Sequence, residues 1–102
     1  MKVLGIDIGG SALKGAPVDT KTGRLLAERY RVEIESPCSL SVGLAAARDI
    51  ARHFNWKGPV GIGFPAIIKD GCIGAVGNLG NVWEGQNGAA LFRRATGGQV
   101  RM

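Results

Sequence analysis

The chain has 102 residues, of which 45% are hydrophobic, and its 13 lysines and arginines exceed its 8 acidic residues to give a net charge of +5. This length suits one small domain with a modest core, and the ordinary apolar content argues against disorder. Seventeen glycines are too many for a helical bundle. No apolar stretch approaches the ~20 residues of a membrane helix. Because the amino terminus carries Asp7 and lacks the apolar core of a signal peptide, we expect a cytoplasmic protein with no membrane partner.

The positive charge lies mostly in the second part of the chain, where it looks scattered along the sequence. Residues 36–102 hold seven bases and three acids, whereas residues 1–35 hold six bases and five acids. Arg93–Arg94 is the only adjacent basic pair in the second part, and no aromatic residues interleave with it as a nucleic-acid surface requires. We therefore expect a solvated surface with some attraction for polyanions and no nucleic-acid partner.

The first third of the chain predicts an antiparallel meander of three strands. The stretches "KVLGIDIG" and "ALKGAPVD" are typical of buried strands, with a turn between them at residues 9–11. "DTKTG" (19–23) has the chemistry of a short hairpin loop. "RLLAERYRVEIE" (24–35) alternates in part and predicts the third strand, with one face offered by Leu26, Tyr30, Val32 and Ile34.

A change of period after Ser36–Pro37 predicts a helix. Apolar residues at helical spacing run from Leu40 to Phe54, and Ser39 is placed to cap the amino end. His53, near the end of this helix, suits a favourable charge at a helix carboxyl terminus better than a catalytic role.

The rest of the chain predicts further strands and a short helix. Val60 to Phe64 is typical of a buried strand, and "IIKDGCIG" of a hairpin that turns on Asp70–Gly71. "GAALFRRATGG" predicts a helix ended by Gly97–Gly98, and "QVRM" begins another strand. The order is βββαβ, then helix, then strand, which indicates one α/β domain over residues 1–102. Cys38 and Cys72 show no metal-type spacing and are expected to be free thiols rather than a disulfide.

The stretch "GIDIGGSALKG" (5–15) has the composition of a phosphate site, although it matches neither common glycine motif. A P-loop would place lysine where Ser11 stands and continue into a helix. Gly61, Gly63 and Ala66 match the letters of a dinucleotide fingerprint, but Pro65 and a hairpin follow where its helix should begin. We reject both motifs.

The chemistry of this stretch still favours an anion. Adjacent glycines reach conformations closed to other residues, so that their N–H groups and the Ser11 hydroxyl could face phosphate oxygens. Lys14 supplies a point charge, and Asp7 could hold Mg²⁺ through water. A tight β-hairpin with Asp7 capping the turn is the alternative, and the letters alone leave both open.

Four segments in register resemble one family. "GIDIGGSALKG" resembles the first phosphate motif, D-x-G-G-[ST]-x-x-[KR], of the ROK-family sugar kinases, which have the actin-like, ribonuclease H-like ATPase fold. "GIGFPAIIKDGCI" is similar to their G-x-P-[GA] segment and hairpin, "NLGNVWEG" to their Asn…Trp segment, and "AALFRRATGGQVRM" to the helix and strand before their catalytic loop. "GFPA", "HFNWKGPVG" and "LFRRATG" are most similar to the polyphosphate glucokinases of that family, which phosphorylate glucose with polyphosphate and often ATP.

The resemblance implies a role for particular residues. Phosphate would be bound by Gly9, Gly10, Ser11 and Lys14, and Mg²⁺ by Asp7. The sugar would be bound by Gly63, Pro65, Ala66 and Asn78. Asn78 could instead be a turn residue, and Trp83 suits packing over its loop better than stacking on a sugar.

The resemblance also implies what is missing. Kinases of this family are much longer, and their catalytic Asp, which takes the proton from the sugar hydroxyl, lies in a loop beyond the position of Met102. We therefore expect a truncated amino-terminal phosphate- and sugar-binding lobe whose carboxy-terminal lobe is absent. Such a lobe would be inactive alone in phosphoryl transfer to the 6-hydroxyl of glucose. The alternative is a non-catalytic phosphate-binding or assembly module derived from a sugar kinase. An uncovered sheet face and edge would favour a homo-oligomer or strand-exchanged dimer.

Overall fold

The fold is a mixed β-sheet covered on one face by two α-helices. The computed structural model describes residues 1–76 and 79–102. Its elements, in chain order, are β1 (Lys2–Ile8), β2 (Ala12–Asp19), β3 (Tyr30–Glu33), α1 (Leu40–His53), β4 (Val60–Gly63), β5 (Ala66–Lys69), β6 (Cys72–Val76), a 3₁₀ turn (Asn81–Trp83), α2 (Gly88–Thr96) and β7 (Val100–Arg101). Neither helix is long and apolar enough to cross a lipid bilayer.

The main sheet has the strand order β3-β2-β1-β4-β7. β1 pairs with β2 in antiparallel and with β4 in parallel orientation, and β7 extends the sheet parallel to β4. The predicted order of strands and helices is confirmed. β5 and β6 form a separate hairpin, which turns as predicted on Asp70 and Gly71, with φ values of 52° and 80°. Two consecutive positive φ angles are what a tight two-residue hairpin requires.

The third strand is shorter than the sequence predicts. Only residues 30–33 of the expected 24–35 are strand. Residues 24–29 touch β2 through one bridge between Leu25 and Val18, and the side chains of Leu25 and Leu26 are 44% and 46% exposed. Successive side chains of a β-strand point to opposite faces, so Leu25 and Leu26 could not both face the core. This explains why the segment does not continue β3 as a strand.

Both helices begin or end where the sequence indicates. The Ser39 hydroxyl accepts a hydrogen bond from the Val42 N–H at 3.2 Å, so the predicted cap of α1 is confirmed. Gly97, at φ 78°, ends α2 in the left-handed conformation. The buried residues of α1 are small apart from one isoleucine: Gly43, Ala46, Ala47, Ile50 and Ala51. A Cβ on Gly15 of β2 would lie 2.5 Å from Cγ2 of Ile50, so α1 approaches the sheet closely.

Two aromatic contacts tie the helices to the rest of the fold. His53, in the last turn of α1 as predicted, also lies parallel to Tyr30 of β3, with ring centroids 3.9 Å apart; the sequence pattern did not indicate this contact. Trp83 is 1% exposed and donates its indole N–H to the Cys38 carbonyl at 2.9 Å. The packing role predicted for Trp83 is therefore confirmed.

Both cysteines are free, as predicted, and their environments differ. Cys38 is buried and Cys72 is exposed, and burial raises the pKa of the Cys38 thiol. Because the thiolate is the reactive form, we expect iodoacetamide to alkylate Cys72 in the native protein and Cys38 only after unfolding. Mass spectrometry of a time course measures this. The Cys72→Ser variant should stay unmodified until denaturant is added, and equal rates at both thiols would contradict the burial of Cys38.

Candidate functional site

The two faces of the main sheet differ in chemistry. Side chains alternate along a strand, and Leu4, Ile6 and Ile8 of β1 are buried on the helix-covered face. On the opposite face, Gly5 of β1 lies between Ala16 of β2 and Gly61 of β4. This face forms the floor of an open cleft of about 680 Å³, which lacks large side chains at its centre.

A row of three residues crosses this cleft at the carboxyl ends of β1 and β4. Asp7 pairs with Lys14 of β2 on one side and with Gly63 of β4 on the other. All three line the cleft, and a Cβ on Gly63 would lie 3.2 Å from Oδ1 of Asp7. The structure therefore brings together the predicted metal ligand, one predicted phosphate ligand and one predicted sugar-wall residue.

Asp7 and Lys14 are both open to a ligand. Their side chains are exposed, and within residues 1–76 and 79–102 the one ion pair joins Arg31 and Glu33 at 3.8 Å. Neither side chain therefore forms an ion pair with the other or with another described residue. One free carboxylate beside one free ammonium group is a suitable arrangement for an anion that carries a divalent cation.

The turn after Asp7 differs in one respect from the expected phosphate loop. Gly9 donates its N–H to the Ala12 carbonyl at 2.9 Å, so this N–H closes the hairpin and does not face a ligand. Gly9 does not have a positive φ, so the turn does not use the left-handed conformation at this residue. The N–H groups of Gly10 and Ser11 donate to no other described residue, and the Ser11 side chain is exposed. The donors of the turn are therefore Gly10 and Ser11.

The remaining sugar-wall residues lie beyond the end of β4. Pro65 is exposed, and Ala66 opens β5, where it is half-buried and pairs with Val76. They follow Gly63 in the chain but do not line the cleft. Asn78 lies outside the described residues.

Sequence reasoning missed one cation of the cleft. Arg29 lines it together with Leu25, because residues 24–29 run beside β2 instead of continuing β3. The sequence carried no signal for this, since the segment was predicted to be strand. The described lining of the cleft thus carries two cations, Lys14 and Arg29, and one carboxylate, that of Asp7.

The protein offers few ligands of its own to a metal. In the part of the chain that the structure describes, no three His, Cys, Asp or Glu side chains form a cluster, and Asp7 is the one acid among the residues lining the cleft. Mg²⁺ is commonly held by one or two carboxylates together with waters and substrate phosphates. Asp7 therefore fits a magnesium ion that arrives with a phosphate ligand, and does not fit a metal held by protein alone.

Comparison with known proteins identifies relatives over most of the chain. No family model matches the chain. A polyphosphate glucokinase of Mycobacterium tuberculosis is 30% identical over 95 residues, which are 93% of this chain and 36% of the relative. The crystal structure of an inorganic polyphosphate/ATP-glucomannokinase from Arthrobacter sp. strain KM matches with a TM-score of 0.91 and 32% identity, over 98% of this chain and 42% of its own.

The fold is shared more widely. A ROK hexokinase from Thermus thermophilus matches with a TM-score of 0.71 and 25% identity, over 98% of this chain and 33% of its own. The α/β sheet of the chain thus matches the actin-like ATPase fold of the ROK kinases, as the sequence predicted. The chain spans well under half the length of each of these relatives.

Proposed function

Since this chain is a relative of the polyphosphate glucokinases and ROK sugar kinases, we propose that its cleft holds the phosphoryl donor for transfer to the 6-hydroxyl of glucose. The donor is polyphosphate or ATP. The proposal is carried by one observation: Asp7, Lys14 and Gly63 form a row at the carboxyl ends of two parallel strands. This end of an α/β sheet is where such folds commonly bind ligands.

The groups around this row suit a chain of phosphates. The Lys14 ammonium would offset the charge of a phosphate oxygen, and the N–H groups of Gly10 and Ser11, with the Ser11 hydroxyl, would donate hydrogen bonds to it. Gly9 and Gly63 would leave room for the ligand because neither carries a side chain. Arg29, which also lines the cleft, would attract the polyanion without a fixed contact.

Asp7 would bind Mg²⁺ beside the phosphates. The bound ion would neutralise phosphate charge and so favour the attack of a hydroxyl on phosphorus. What this chain contributes is one carboxylate, held at the end of a central strand by pairing on both sides.

The sugar would lie next to the donor, against the segment that follows β4. Gly63, Pro65 and Ala66 would form its wall, and Asn78 would both donate and accept hydrogen bonds with sugar hydroxyls. This part of the proposal rests on the resemblance of "GIGFPA" and "NLGN" to the family motifs.

Transfer to glucose also needs a base for the attacking hydroxyl. The three other aspartates lie outside the cleft: Asp19 accepts the Lys21 N–H at 2.9 Å, Asp49 lies on α1 and Asp70 in the hairpin turn. Since Asp7 is the one described acid of the cleft, we propose that the 102-residue chain binds the donor but does not transfer its phosphoryl group by itself. The same observation favours a second candidate function, a phosphate-binding module without catalysis.

The test is calorimetric binding of tripolyphosphate and of ATP to the full chain, with and without Mg²⁺. We expect Mg²⁺ to tighten binding to the wild-type chain. In Asp7→Asn this gain should fall by between about tenfold and a hundredfold, since a hydrogen bond to a charged group contributes about 1.5–3 kcal/mol. Asp49→Asn, which removes the same charge from an exposed position on α1, is the matched control and should bind as the wild type does.

Two outcomes would contradict the proposal. An unchanged response to Mg²⁺ in Asp7→Asn would remove Asp7 from the site. Formation of glucose 6-phosphate by the chain alone, above the rate without protein, would mean that these residues contain the base. Binding of phosphate without any binding of glucose would favour the non-catalytic module.

A further inference from the structure

A second cleft lies between the carboxyl-terminal ends of α1 and α2. Its volume is about 430 Å³, and it is lined by four cations: Arg48, Arg52, Lys57 and Arg94. None of the residues that line it is acidic. We refer to this cavity, defined by these four residues, as the basic cleft.

None of the four cations of the basic cleft forms an ion pair with a described residue. All four side chains are exposed, and the ion pair between Arg31 and Glu33, the one found among the described residues, lies elsewhere. Like charges on one concave surface add their potentials and raise the local concentration of anions. A ligand with several negative charges fits such a surface better than a single anion does.

Helix capping does not account for the whole cluster. Arg52 and Arg94 lie in the last turns of α1 and α2, where a cation is favoured by the helix dipole. Arg48 lies one turn earlier, and Lys57 follows the helix in the loop to β4. Stabilisation of a helix terminus therefore does not explain the positions of Arg48 and Lys57.

The basic cleft is separate from the site around Asp7. It is built by residues that precede β4 and by the end of α2, which precedes β7. These segments lie at the end of the sheet where Val60 pairs with Leu4 and with Val100. Asp7 pairs with Gly63 three residues further along both strands, about 10 Å away at the usual strand rise. Because the residues lining the basic cleft include no carboxylate, it has no ligand for Mg²⁺.

We propose that the basic cleft is a second, metal-independent binding site for inorganic polyphosphate. A single-stranded nucleic acid fits less well, because such ligands stack on exposed aromatic rings. The aromatic residue here, Trp56, is half-buried and donates its indole N–H to the Pro59 carbonyl at 2.9 Å. The choice of polyphosphate as the anion rests on the proposed function, whereas the cationic cleft itself does not.

The test measures binding of tripolyphosphate and long-chain polyphosphate to the full chain in EDTA, over a range of salt concentrations. For Arg52→Gln/Arg94→Gln we expect about fivefold weaker binding and a salt slope smaller by about 1.4, since each neutralised phosphate of a flexible polyanion contributes about 0.7. Glutamine keeps the helix propensity of arginine, and Arg52→Lys/Arg94→Lys, which keeps the charge, should keep the binding. Lys2→Gln/Lys21→Gln removes the same charge outside the cleft and should change affinity by less than about twofold, because salt screens distant charges.

Three results would contradict the proposed polyphosphate site, each for a different reason. An equal loss in the Lys2/Lys21 control would mean a general charge effect, and a loss in the Arg→Lys pair would mean that charge is not the cause. Tighter binding of a single-stranded DNA oligonucleotide than of polyphosphate would overturn the choice of ligand. These measurements are made without Mg²⁺, whereas the proposed function is tested by the Mg²⁺-dependent binding lost in Asp7→Asn, so either proposal can fail alone.

Discussion

Replacing Trp83 by alanine is expected to lower the free energy of unfolding by about 4 kcal/mol, since removal of a buried Trp or Phe side chain costs about 3–5 kcal/mol. Trp83 stacks on Phe92 with ring centroids 5.9 Å apart, and its ring centroid lies 5.4 Å from that of Phe64. It also fits against the bare backbone of Gly43 on α1, where a Cβ would lie 2.6 Å from Cζ2 of the indole. The truncation would leave a cavity between both helices and an unpaired Cys38 carbonyl. Urea unfolding followed by circular dichroism measures the change.

Trp56→Ala is the matched control for this loss. The side chain of Trp56 is half-buried and makes one hydrogen bond, to the Pro59 carbonyl, so its removal should cost well under half as much. Trp83→Phe keeps most of the apolar contact and loses only the hydrogen bond, and its stability should lie between those of the wild type and Trp83→Ala. If Trp83→Ala were as stable as Trp56→Ala, Trp83 would not be central to the core.

Replacing Gly63 by valine is expected to weaken Mg²⁺-dependent binding of tripolyphosphate between about tenfold and a hundredfold. Overpacked methyl groups cost about 1–3 kcal/mol, and about 1.4 kcal/mol corresponds to a factor of ten in affinity. The first carbon of the new side chain alone would lie 3.2 Å from the Asp7 carboxylate, where the proposed metal and phosphate meet. Because Gly63 is exposed and valine suits a strand, the variant should unfold at the wild-type urea concentration.

Gly61→Val is the control for Gly63→Val. It tests whether a side chain must lie beside Asp7 to block phosphate binding or whether any added volume in the cleft has the same effect. Gly61 lies on the same strand and face, one row away, and a Cβ there would be in ordinary contact with Val3 at 3.7 Å. We expect this variant to retain most of the affinity for tripolyphosphate. Equal losses in the two variants would place the phosphate over the centre of the cleft rather than beside Asp7.

The parts of the fold that the sequence predicted well are those set by local chemistry. The cap at Ser39, the turn at Asp70–Gly71 and the helix end at Gly97 each depend on one or two residues whose conformational preferences are strong. The pairing of Asp7 with Lys14 is also local, because a short turn over residues 9–11 fixes the register of β1 on β2. The pairing of these two charges therefore follows from the turn predicted at residues 9–11 and needs no contact between distant segments.

What the sequence did not reveal depends on contacts between distant segments. Arg29 reaches the cleft because β3 begins only at Tyr30 and residues 24–29 lie along β2. The adjacent leucines at 25 and 26 are consistent with this path but did not predict it. The cations between Arg48 and Arg94 look scattered along the sequence but come together because α1 packs beside α2. Their spacing in the sequence did not indicate this cluster. The sequence also did not indicate that the Gly9 N–H donates to the Ala12 carbonyl and closes the hairpin.

The strand order also determines how the sheet can be completed during synthesis. β1 is the first strand to be made and one of the central strands of the sheet, and β2, its first neighbour, follows within a few residues. Its second neighbour is β4, whose Val60 pairs with Leu4 across 56 positions of chain. Until β4 has been made, one edge of β1 has unpaired N–H and C=O groups and is open to the β4 of another copy. The interval between the synthesis of β1 and of β4 is therefore the stage at which the strand-exchanged dimer expected from the sequence would arise.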